Sequence, residues 1–190
     1  MGGCLTSEVP FYSEKDIIQD VRFVGNYDWS DVALRVAVSQ VPDNSRRYLV
    51  RLIQGNGWGE YLGTLFQIDN QTYVDLYPKD NFNVTRLTPL GYPTASGLLE
   101  GISHDGNVQD GHRLHVLYKI EIDRDGLKLW AARKGSDPEN VLASSMNIHK
   151  RLNGNGLIVE EKTPVLRSLL GDNGELKRAL KGEPLLLKRM

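Results

Sequence analysis

One cysteine, Cys4, stands in 190 residues, so an internal disulfide is excluded and the fold must hold by packing and hydrogen bonding. An excess of charge of either sign is also missing. The 23 lysines and arginines against 24 acidic residues leave a formal net charge of -1, and the basic residues are dispersed apart from the tail Leu187-Lys188-Arg189. Without a basic field to attract a polyanion, no nucleic-acid partner is expected. Apolar runs extend for only a few residues, far short of the ~20 that a membrane-spanning helix needs. Reaction signatures are scarce as well. There is no Gly-x-Ser-x-Gly elbow for a nucleophile. Gly55-Asn56-Gly57-Trp58-Gly59 lacks the lysine and Ser/Thr of a phosphate loop, and a strand pattern follows it where a helix N-terminus would be needed. Asp123-Arg124-Asp125-Gly126 has its glycine at the fourth position and Lys134 where a calcium loop needs its bidentate glutamate. No cofactor or metal is expected, and the first reading is of a protein that is not an enzyme.

What the chain does have is alternation. Its length suits one domain with a core large enough to need no staple. Over residues 112–133, Leu114, Val116, Tyr118, Ile120 and Ile122 alternate with Arg113, His115, Lys119, Glu121 and Asp123, the period-two pattern of a half-buried strand that only Leu117 breaks. Asp125-Gly126 reads as a two-residue hairpin turn, with Arg124 opposite Leu127, Asp123 paired with Lys128, Ile122 opposite Leu129 and Glu121 opposite Trp130. Upstream, Val32 to Val38, Tyr48 to Leu52, Leu62 to Ile68 and Thr72 to Tyr77 form a meander, its turns at Pro42-Asp43-Asn44-Ser45, at Gly55–Gly59 with Trp58 at the tip, and at Asp69-Asn70. Residues 78–111 lack periodicity and suit either an irregular excursion over the sheet or an inserted hairpin, and loops of this length are often functional lids. Helix signals sit at Ser13-Glu14-Lys15-Asp16, from Asp137-Pro138 to Leu152, from Thr163-Pro164 to Leu170 with Gly171 as the stop, and from Glu175 to Leu180. Leu157-Ile158-Val159 reads as a short strand and Pro184 to Leu187 as an edge strand. The fold class expected is mainly β (α+β): an antiparallel meander curled into a barrel or half-barrel, with short helices in the C-terminal third. Residues 1–12 are expected as a tail or tether and 13–190 as a single β-rich domain.

Two stretches carry a resemblance. Gly3-Cys4, ahead of Thr6, Ser7, Glu8 and Pro10, resembles the junction of a bacterial lipoprotein, in which the cysteine becomes the lipidated first residue, although no charged and apolar signal segment precedes it here. The same residues fit the Met-Gly-x-x-x-Ser/Thr pattern for acylation of Gly2, with Cys4 open to palmitoylation. Gly25-Asn26-Tyr27 resembles the Gly-x-Trp opening of lipocalin-like domains, where an aromatic on the first strand closes one end of a barrel; tyrosine stands here in place of tryptophan. Together with the meander and the central hairpin, these features resemble small bacterial envelope lipoproteins with a lipocalin-like β domain. That resemblance implies a lipid anchor on Cys4, a periplasm-facing place in the cell envelope with a cytoplasmic one as the alternative, and contact with the membrane only through the anchor.

Three functions follow as expectations. The first is a non-enzymatic envelope binding or scaffold module tethered through Cys4, whose partner is an envelope protein or a small apolar ligand. An exposed Trp58 would serve as a partner contact. The second is a soluble lipocalin-like carrier, with Leu34, Val36, Tyr48, Val50, Phe66 and Tyr118 lining a cavity of ~300 Å³ or more. The third is an enzyme whose site lies under the 78–111 loop, over Asp75 and His112 or His115. Asp75, with Tyr73 and Tyr77 on the same strand face, is a candidate ligand-facing carboxylate in a barrel mouth, set against a solvated strand face. His112 and His115, with His104, Asp105 and Asp110 nearby, invite a metal reading; three residues apart on a strand they point to opposite faces and cannot chelate one ion without a bulge.

Overall fold

The structure, a computed structural model, describes residues 5–30, 33–55, 57–79, 108–109, 112–131, 150–153, 156–172, 174–180 and 183–190. Cys4, residues 137–149 of the helix expected from Asp137 to Leu152, and most of the 78–111 stretch lie outside the described residues; the end of that expected helix, Lys150 to Leu152, is strand instead, paired with residues 157–159.

The chain forms β1 (Leu5–Ser7), β2 (Gly25–Trp29), β3 (Leu34–Val41), β4 (Asn44–Gln54), β5 (Gly57–Ile68) and β6 (Gln71–Pro78). After these come β7 (Val108–Gln109), β8 (His112–Arg113), β9 (His115–Ile122), β10 (Gly126–Trp130), β11 (Lys150–Asn153), β12 (Gly156–Val159) and β13 (Leu185–Arg189). Two short helices, α1 (Thr163–Leu170) and α2 (Glu175–Ala179), lie between β12 and β13. The order β10-β13-β2-β3-β4-β5-β6-β9, closed by pairing of β9 with β10, is an antiparallel barrel of eight strands. Eight strands enclose a space that side chains can fill or that one small ligand can share with them.

Alternation decides what faces inward. On β3, Leu34, Val36 and Val38 are buried while Arg35 is exposed. Tyr48, Val50 and Leu52 of β4, Tyr61 and Leu65 of β5, and Val116, Tyr118 and Ile120 of β9 join them in one apolar core. Asp69 and Asn70 have φ of 46° and 61°, the left-handed pair that a two-residue hairpin turn requires, and these residue types accept it at low cost. The β5–β6 register, Ile68 opposite Gln71, follows from that turn.

The barrel wall carries a second layer. The outer faces of β5, β6 and β9 present Phe66, Tyr73 and Leu117 to Leu5, Phe11 and Tyr12 of the N-terminal segment and to Leu166, Leu170 and Leu176 of the helices, forming a separate core. Leu117, the break in the alternation, is 1% exposed because its outward face is covered. Strand β9 serves both layers. It pairs with β6 along one edge; along the other it meets β10 at Lys119 to Ile122 and β1 at His115 and Val116. Strand β1 also pairs in parallel with β12, which carries β11.

Several expectations need correction. The hairpin turn lies one residue earlier than expected: Ile122 stands opposite Leu127 and Glu121 opposite Lys128, and the Asp123 N–H donates to the Gly126 carbonyl at 2.9 Å, which puts Arg124-Asp125 at the turn in place of Asp125-Gly126. Gly126 is needed because β13 passes so close that a Cβ there would lie 2.0 Å from the Leu187 carbonyl oxygen. Facing residues keep their character under the altered register, and Lys128 still reaches Asp123 at 2.8 Å. Strand β13 is no edge strand: it lies between β10 and β2 and completes the barrel. Strand β5 begins at Gly57, so Trp58 pairs with Ile53 and is not the loop tip. Phe66 points out of the barrel into the second core, not into its interior. Within the stretch expected as a tail, Leu5 and Phe11 are each 0% exposed. The Ser13 signal yields one 3-10 turn, Glu14–Asp16, and the cap of α1 is Lys162, with Thr163 inside the helix. Helix α1 otherwise runs as the sequence predicts, from Thr163 to Leu170 before Gly171.

Candidate functional site

Among the described residues, two places could do chemistry or bind: the barrel interior and the covered outer wall. In the interior, Phe23, Tyr27, Trp29, Tyr48, Tyr61 and Tyr118 are all buried and occupy much of the space. Among the described residues, a cavity of about 30 Å³ lies between apolar side chains that include Val36, Val50, Leu76 and Tyr118. That holds a water or two by volume; a drug-sized ligand needs ~300 Å³ or more.

On β2, the buried Tyr27 gathers a set of polar bonds from the last strand and from the segment before it. The Tyr27 hydroxyl donates to the Phe23 carbonyl at 2.9 Å, and Arg189 Nη2 donates to that hydroxyl at 2.9 Å. The same guanidinium donates from Nη1 to the Val24 carbonyl at 3.0 Å and from Nη2 to the Arg22 carbonyl, and it lies 5.0 Å over the Tyr27 ring. Burial pushes the Tyr27 phenol above its ordinary pKa, with Arg189 opposing.

On the outer wall, β6 and β9 bring together groups from distant parts of the chain. Asp75 is 2% exposed, and its Oδ1 lies 2.8 Å from His115 Nδ1. Its Oδ2 accepts from the Phe11 N–H at 3.3 Å. Asp75 stands opposite Thr64, whose Oγ1 accepts from the Tyr12 hydroxyl at 3.2 Å. The His115 ring packs on Tyr77 with centroids 4.6 Å apart. A carboxylate on Nδ1 selects the tautomer that leaves Nε2 as the acceptor, the orientation used by general bases and metal-bound histidines. Here the same carboxylate also holds the N-terminal segment. Among the described residues, no group of three or more His, Cys, Asp and Glu could hold a metal ion.

Each candidate residue now has a place. Asp75 and Tyr77 are on the outer wall, away from the barrel mouth, and Asp75 is not solvated. Tyr73 is also on that face and fully buried, stacked on Phe66 at 5.3 Å. Its hydroxyl donates to the Leu170 carbonyl at 3.4 Å, and burial, with the charges of Asp69 and Asp172, lifts its pKa to about 12. Tyr118 faces the interior cavity. Trp58, 37% exposed, stands apart from these on the outer side of β5. His115 meets Asp75; the side chain of His112 lies outside the described residues.

A further tie was not anticipated. Arg167 of α1 donates from Nε and Nη2 to the two oxygens of Asp16 at 2.5 and 2.6 Å, and Ser13 donates to Oδ2 through both N–H and Oγ. Burial alone would raise the Asp16 carboxyl, but these hydrogen bonds overcome it and hold the pKa at about 2. The Thr163 hydroxyl donates to the Pro10 carbonyl at 2.9 Å, a second link between α1 and the N-terminal segment. The Phe11-Tyr12 pair was the available signal, since adjacent aromatics are poor solvent-exposed tether residues.

No family model, no curated protein and no solved structure matches this chain. The closed β-barrel with two short helices near the C-terminus is established by the structure itself. No helix among the described residues is long and apolar enough to cross a membrane.

Proposed function

We propose that the protein is a non-enzymatic binding or scaffold module of the cell envelope, held to the membrane by lipid on Cys4, with an envelope protein as its partner. The observation that supports a scaffold over a container is the small size, about 30 Å³, of the cavity found between the described apolar side chains of the interior. A barrel with so small a cavity makes its useful contacts outside, and Trp58 is, among the described residues, an exposed aromatic that suits one. The Asp75–His115 pair fits the same reading, because Asp75 fastens Phe11 to the wall. Mass spectrometry of the protein produced from its full gene in a bacterial host tests the tether: a diacylglyceryl-modified Cys4 is expected, and an unmodified thiol would remove it.

The carrier reading has one observation in its favour. The residual cavity is lined entirely by apolar residues, with Tyr118 on its wall. Titration with a fluorescent fatty acid separates the two readings. The scaffold predicts no saturable binding; one-to-one binding that an unlabelled fatty acid competes away would favour the carrier.

A further inference from the structure

We draw no further inference here: the strongest candidate, the partly exposed apolar patch of Trp58, Ile53 and Leu62 on the outer wall of β4 and β5 beside Arg51, Glu60 and Lys79, carries nothing, because nothing in the structure shows what covers it.

Discussion

Neutralising Asp16 should weaken the attachment of α1 to the barrel by an amount that depends on pH. Its carboxyl sits at about 2 in the folded protein against an ordinary value of 3.8. That difference corresponds to roughly 2 kcal/mol of stability at neutral pH. Because the folded pKa is the lower one, the contribution is complete above about pH 5 and disappears as the pH falls through 4 towards 2. At pH 2 only a few tenths of a kcal/mol should remain, roughly, from the same linkage. Asp16→Asn keeps the shape but loses the charge that Arg167 grips through two bonds. It should therefore cost about 2 kcal/mol at pH 7, a drop in Tm of roughly 4–8 °C for a chain of this size, and almost nothing near pH 2. Urea unfolding of both proteins at pH 7, 4 and 2.5, followed by far-UV circular dichroism, reads the difference directly. A gap between the two proteins that stays constant across that range would refute the assignment of this stability to the Asp16 charge.

Three other perturbations test different parts of the molecule. Asp75→Ala removes the acceptor shared by the Phe11 N–H and His115. It should cost about 1.5–3 kcal/mol and raise the hydrogen-exchange rate of the Phe11 amide; an unchanged rate would mean that Asp75 does not hold the segment. Gly126→Ala sets a Cβ against the Leu187 carbonyl. A loss of about 1–3 kcal/mol or more is expected, with exchange rising first in β10 and β13, and a variant as stable as the parent would refute the close approach. Arg189→Met keeps an apolar stem but removes the bonds to Val24, Arg22 and Tyr27. About 1–3 kcal/mol should be lost, and the Tyr27 phenol, relieved of the nearby charge, should titrate at higher pH in a spectrophotometric titration.

The barrel was legible in the sequence because each wall strand with one wet face alternates, and β3 and β9 show this almost throughout. The turn at Asp69-Asn70 was legible for a related reason, since few residue pairs accept two positive φ values. Patterning failed where a strand has two dry faces. On β6, Tyr73 to Leu76 are buried without interruption, so Asp75 read as a choice between a mouth and solvent when a third answer, a covered outer wall, was correct. Leu117 carried that information as an apolar residue out of phase. The Asp75–His115 and Asp16–Arg167 contacts join residues 40 and 151 positions apart. No local spacing rule encodes pairs that only the wrapped wall and the folded-back N-terminal segment bring together. The same holds for β13: a short apolar run looks alike at an edge and at a closure, and only the topology tells them apart.

The position of β13 has a consequence for the order of assembly. The ladders from β2 to β6 join neighbours in sequence and can zip locally, whereas the contact of Arg189 with Tyr27 spans 162 residues. Until that late segment arrives, β2 and β10 each present a bare flank of unsatisfied amides, a template for mispairing between chains. The most vulnerable moment in the life of this molecule is thus the interval before its ring is complete, and the bonds of Arg189 to the backbone around Tyr27 act as the clasp that ends it.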